Sequence, residues 1–189
     1  VLKVLGCDND HDAVVSAVAC WDALDLENAI AEAQACGAMV RSADEWADHP
    51  HGKALASRPV IEITKIADSP AEPLPGGPRP LTGVRVLDLT RILAGPTCAR
   101  TMAEHGADVL MVTAENLPQS VPFVMDTSHG KRTTFLDFND ARQRDQLSAL
   151  VGQCDVFSQG YRPGVMQRHG LSPAALAAEP TDDSAVCPS

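Results

Sequence analysis

Apolar residues at Val14, Val15, Val18 and Trp21 fall near the period of one helix face, and Asp10 stands ahead of them as a cap. The spacing predicts a helix from Asp10 through Ala23. Leu26 to Ala35 suits a second helix, ended by Gly37. Ser42 followed by Glu45 has capping-box spacing: the Ser oxygen takes one orphan amide and the Glu side chain returns to another. A short helix through Trp46 is expected there, stopped at His49-Pro50. Residues 8–57 thus read as mainly helical. Val60 to Ile66 then alternates apolar and polar positions like a half-exposed strand.

From Asp68 to Pro80 the chain carries five prolines and two glycines in thirteen residues, which no helix or central strand tolerates. It reads as a semi-extended linker. Beyond it the period changes. Val84–Leu89 is a predicted strand, Thr90–Gly95 a loop, and Pro96 opens a helix that runs to about His105 and ends at Gly106. Val109–Thr113 and Thr133–Phe138 follow as strands, Ala141–Val151 as a helix and Asp155–Ser158 as a fourth strand. Such alternation implies a parallel sheet with right-handed crossovers. The expected fold is therefore α/β: a parallel-sheet lobe preceded by a small, mainly helical segment.

Composition narrows the class. With 44% hydrophobic and 21% charged residues among 189, the balance is that of a soluble globular protein. No apolar run nears the roughly 20 residues of a membrane span. Val1–Gly6 is too short and lacks the basic flank of a signal peptide. A cytoplasmic protein with no membrane partner is expected. Position 1 is not Met, so the true start is expected upstream.

The formal net charge of −10 lies before Thr82 and in the last eleven residues, while 82–178 balances nine basic against nine acidic side chains. Nucleic acid, which needs a basic field, is not an expected partner. A neutral lobe with clustered cations suits a phosphorylated small molecule better. The six cysteines form no C-x-x-C pair and have no His at ligand spacing, so reduced thiols and no metal are expected.

Ligands of an open parallel sheet bind beyond the carboxyl ends of its strands. Three loops carry residues of interest. In Thr90-Arg-Ile-Leu-Ala-Gly-Pro96, a Gly-Pro turn into a helix leaves amides free to face an anion, though the run is neither G-x-G-x-x-G nor a P-loop. In His129-Gly-Lys-Arg132, two adjacent cations before the third strand either clamp a phosphate or form a solvated basic corner. In Gly160-Tyr-Arg-Pro-Gly164, the chain's one tyrosine precedes a Pro-Gly turn, and Arg168 follows a helical turn later. Asp126 and His129 have the spacing of an acid/base pair, but nothing else marks them.

Taken together the blocks are more specific. PLTGVRVLDLTRILAGPTCARTMAEHGADVLMV, HGKRTTFLDF and CDVFSQGYRPGVMQRHGLSPAAL, in this order and spacing, resemble the opening of family III CoA-transferases across about residues 80–178. That family includes formyl-CoA transferases, carnitine CoA-transferases and α-methylacyl-CoA racemases. The resemblance implies a Rossmann-like lobe, acyl-CoA and a carboxylic acid as substrates, and an interlocked homodimer in the intact protein. It implies that Ile92, Leu93 and Ala94 lie against the adenosine and pantetheine of coenzyme A. Lys131, Arg132 and Arg168 would serve the phosphates, and Tyr161 and Val165 would line the same groove. Thr113-Ala114 departs from the acidic-then-basic pair that members often carry after the second strand.

The run GAMVRSADEWADHPHGKAL resembles the family's small-domain motif, which normally lies after the nucleotide lobe. Here it comes first, as in a fused or tandem protein or an internal fragment of one. The implied layout is a small-domain-like segment at 1–67, a linker at 68–80, an incomplete Rossmann-like lobe at 81–178 and a divergent tail at 179–189. In the transferases a downstream Asp attacks the acyl-CoA carbonyl, giving a mixed anhydride and then an enzyme-bound CoA thioester. The racemases use a downstream His-Asp pair. Neither segment is expected within this chain, so it is expected to be inactive alone. A racemase-type fragment and a non-catalytic CoA-binding or assembly module are the alternatives. As an incomplete sheet, it is expected to oligomerise or to be poorly soluble when expressed alone.

Overall fold

A computed structural model describes residues 1–70 and 72–178. The expected tail at 179–189 lies outside the described residues. The chain divides into two compact units, Val1–Ile63 and a second that begins at Thr64.

The first unit is helical, with α1 at Leu2–Leu5, α2 at His11–Val18, α3 at Ala23–Glu32, α4 at Ala43–Asp48 and α5 at Pro50–Ala56. Asp10 caps α2 by accepting from the amides of Asp12 and Ala13. The helix stops at Val18, short of the expected Ala23, because Asp22 is itself a cap: its carboxylate accepts from Leu24 and Asp25 and starts α3 at Ala23. Ser42 Oγ accepts from Glu45 N at 3.3 Å while Glu45 Oε2 accepts from Ser42 N at 2.7 Å, completing the capping box. Pro50 ends α4 and, with its fixed φ, also opens α5.

Ile30 supplies the buried apolar side chain of this unit, and Gly52 packs so closely that a Cβ there would lie 1.9 Å from Trp46 O. Arg41 clamps Glu27 bidentately at 2.8 and 3.1 Å, and Met39 N donates to the same carboxylate at 2.9 Å. The segment after α3 is thereby held by polar contacts.

Residues 60–66 do not form the expected strand. Val60, Ile61 and Ile63 are exposed, and the described four-stranded sheet leaves 60–66 without a ladder partner. Alternation alone cannot satisfy a strand's backbone groups.

In the second unit the elements are β1 (Arg85–Asp88), α6 (Ala94–Glu104), β2 (Asp108–Thr113), α7 (Val121–Thr127), β3 (Lys131–Phe135), α8 (Ala141–Val151), β4 (Val156–Ser158), α9 (Val165–Arg168) and α10 (Pro173–Ala178). All described strand pairs are parallel, in the order β3-β2-β1-β4. The fold is α/β, as expected.

Successive strand residues face opposite sides, and each side has its own core. Val84, Val86 and Val109 pack with Ala99 and Ala103 of α6, whose small side chains let the helix approach closely. Leu87, Leu89 and Val112 pack on the other side with Leu136, Leu147 of α8 and Met166 of α9. Asp155 fastens the amino end of β1, its Oδ2 accepting from Arg85 N at 2.7 Å.

The third strand starts earlier than the expected Thr133. Val109↔Lys131 through Thr113↔Phe135 is its register on β2, so Lys131 and Arg132 belong to the strand and not to a loop before it. Being adjacent in a strand, they point to opposite faces of the sheet.

Candidate functional site

The loop after β1 begins from a buried, hydrogen-bonded base. Leu89 N donates to Ser158 O at 2.8 Å, which carries the pairing of β1 and β4 one residue further. Asp88 is 0% exposed, and Asp88 Oδ1 accepts from Thr90 N at 3.0 Å and from Thr90 Oγ1. The chain then turns outward. Ile92 has φ +73°, a left-handed conformation that is a genuine outlier for a β-branched residue. Ile92 and Leu93 are 53% and 49% exposed, and Ala94 is exposed as well. Leu93 O accepts from Thr97 N at 2.9 Å and closes the first turn of α6. Three apolar side chains thus stand in solvent at the carboxyl end of β1, on backbone held from below.

The loop after β4 lies beside it: a Cβ on Gly160 would be 4.0 Å from Thr90 Cγ2. Tyr161 is half-buried, its ring centroid 6.3 Å from that of Phe138, and burial pushes its phenol up while nearby Arg91 partly offsets this. Val165 packs against the α8-side core, and Gly164, at φ +83°, caps the short α9. Arg168 at the end of α9 is exposed. The structure therefore brings the first and third loops together.

Arg91 joins them, a residue the sequence reading left unassigned. Its guanidinium donates to Pro118 O, and its Nε is buried without a hydrogen-bond partner among the described residues. Its place in the first block was visible, but nothing local distinguished it from any other loop arginine.

The cation pair of the second block divides. Lys131 runs under α6, where its ammonium donates to Asp88 Oδ2 at 2.8 Å and to Pro96 O at 2.9 Å, with both charged side chains 0% exposed. Arg132 points to the other face, stays at the amino-terminal side of the sheet and pairs with Asp108. It borders a hollow of about 150 Å³ with Arg85, Leu110, Leu150 and Cys154. Arg132 is thus at the opposite end of the strands from Ile92, whose loop leaves their carboxyl ends.

Residues 81–180 match the family described as CoA-transferase family III. The chain belongs to that family. An acyl-CoA transferase of Gibberella moniliformis is 31% identical over 188 residues, taking in 90% of this chain and 33% of the relative. An acetyl-coenzyme A transferase of Hypoxylon pulicicidum is 32% identical over 170 residues, 85% of this chain and 29% of the relative. A formyl-CoA:oxalate CoA-transferase of Afipia carboxidovorans is 36% identical over 105 residues, 49% of this chain and 24% of the relative. The chain spans a third or less of the length of these relatives.

In this family III member three carboxylates of the lobe are already engaged. Asp88 is enclosed by Thr90 and Lys131. Asp137 Oδ1 accepts from both the amide and the side chain of Asn139, each at 2.9 Å, and shapes the turn before α8. Asp126 does not pair with His129 through its side chain: His129 Nδ1 contacts Asp126 O at 2.8 Å, and the carboxylate pairs with Arg100 at 3.0 Å. No helix among the described residues is long and apolar enough to cross a membrane, and no cluster of metal-ligating side chains occurs among them.

Proposed function

We propose that this chain supplies the coenzyme A-binding end of a family III CoA-transferase, and that the intact protein moves CoA between an acyl-CoA and a carboxylic acid. The supporting observation is the exposed Ile92-Leu93-Ala94 strip at the carboxyl end of the sheet, with Ile92 at φ +73°, next to the loop that carries Tyr161. An exposed aliphatic strip next to a loop with a half-buried aromatic suits the adenine and pantetheine of CoA, and Arg168 suits a phosphate. Val165, packed against the α8-side core at the start of α9, would line the same groove.

In this reading an aspartate outside residues 1–189 attacks the thioester carbonyl and expels CoA thiolate, forming a mixed anhydride. The thiolate then attacks the aspartyl carbonyl and releases the first acid. The acceptor carboxylate attacks the resulting enzyme thioester and expels the thiolate, giving a second mixed anhydride; the thiolate then attacks the acceptor's acyl carbonyl, releasing the new acyl-CoA and freeing the aspartate. The engagement of Asp88 and Asp137 favours an attacking carboxylate from elsewhere. The intact protein is read as a cytoplasmic, interlocked homodimer, with this chain alone lacking turnover.

Calorimetric titration of the 189-residue chain with CoA, 3′,5′-ADP and pantetheine tests the reading. Saturable binding of CoA, with weaker binding of each fragment, is expected. A folded chain that binds none of them overturns it.

A further inference from the structure

Enclosing two charges is costly, and apolar side chains of similar volume often serve stability as well. The Asp88–Lys131 pair therefore calls for a reason beyond stability, and its connections supply one. Asp88 Oδ1 holds Thr90 at the start of the first loop. Asp88 Oδ2 holds the Lys131 ammonium, which in turn holds Pro96 O in the first turn of α6. The start of the loop and the helix turn that ends it are thus fastened to one buried centre. Between them lie Ile92, at φ +73° in the left-handed region, and Leu93, both exposed. A strained segment persists only where its surroundings over-determine it. Here the fastening is a salt bridge from a strand two places away in the sheet.

We infer that Lys131 serves the CoA site as a positioning residue, holding the Ile92–Ala94 strip outward through Asp88 and Pro96, and does not contact a phosphate. The inference takes its ligand from the reading above, but the strut itself is a property of the free protein. With its side chain 0% exposed and its ammonium engaged twice, Lys131 has no free face toward solvent.

Rescue separates a strut from a ligand. Lys131→Met leaves Asp88 buried without a partner, and relief of that charge should displace the loop. Adding Asp88→Asn removes the stranded charge while keeping an acceptor for Thr90. CoA affinity is expected to fall about 10–100-fold in Lys131→Met, as the binding-competent loop becomes a minor population. It is expected to recover at least about threefold over Lys131→Met, but not fully, in the Asp88→Asn/Lys131→Met double variant, which strands no charge and keeps the Thr90 tie while the Pro96 tie stays lost. A double variant as weak as the single one makes Lys131 a direct ligand and overturns the inference.

Amide exchange at Thr90 and Thr97 reads the strut without CoA. Faster exchange in Lys131→Met, partly reversed in the double variant, is expected; unchanged exchange overturns the strut even if CoA binds. If the native chain binds no CoA, only the ligand reading fails and the exchange result still decides the strut. If Lys131→Met does not fold, Asp88→Asn alone replaces it. Loop amides in that variant should again exchange faster, and unchanged exchange overturns the inference.

Discussion

A Cβ added to Gly95 would lie 2.3 Å from the Cβ of Thr90, so the first turn of α6 rests directly on the residue that leaves β1. Contacts under 3.0 Å essentially never occur between real side-chain carbons. Gly95→Ala must therefore move either the helix start or the loop, at a cost of about 1–3 kcal/mol typical of overpacking. The midpoint of urea unfolding checks this. Thr90→Ala should not relieve the clash, because the obstructing atom is the Cβ that alanine retains.

Arg168 and Arg132, both proposed from sequence as phosphate cations, should now behave differently. Arg168→Ala is expected to weaken CoA binding by about 1.5–3 kcal/mol, the range for a charged hydrogen bond. Its melting temperature should stay near the native value, since the side chain is exposed. Arg132→Ala removes an exposed pair with Asp108 at the amino-terminal side and should leave CoA affinity unchanged. Calorimetry on the two variants decides it, and a weakened Arg132→Ala would extend the site to that edge.

Acid should loosen the first unit. Hydrogen bonds from Arg41 and from Met39 N hold the Glu27 carboxyl below its ordinary range, and those from Ser42 do the same for Glu45. A lowered folded-state pKa contributes stability that is present above the unfolded value of about 4.3 and is lost as pH falls through the folded one. Between about pH 5 and pH 3, amide protection in α3 and α4 should decline. Glu27→Gln and Glu45→Gln should each flatten that decline and lower protection at neutral pH. Residue-resolved hydrogen exchange across this window is the measurement.

How far the fold could be foreseen depended on where its hydrogen bonds close. The Ser42–Glu45 cap is satisfied within four residues, and helix α8 occupies the expected Ala141–Val151. Both were legible because their chemistry is local. The failures needed distant partners. Residues 60–66 carry a strand's pattern, but no ladder among the described residues receives them. Strand β3 was displaced because β2 dictates its register, whereas its apolar pattern pointed to Phe135, Leu136 and Phe138.

The candidate site divides along the same line. Ile92, Leu93 and Ala94 could be placed at a strand end from the order of elements alone. The enclosure of Lys131 could not, because it depends on Asp88, 43 positions earlier, and on a carbonyl of a helix that crosses above it. Reading Lys131 and Arg132 as one basic corner assumed that neighbours in sequence share a direction. A strand separates them.

Position 92 also sets two selection pressures against each other. A redesign guided by folding stability alone would choose glycine there, since glycine adopts φ +73° without steric cost. That exchange would remove the branched side chain from solvent and leave bare backbone in its place. A library sorted for thermal resistance and a library sorted for ligand retention should therefore diverge at this codon, the first discarding the isoleucine and the second keeping it.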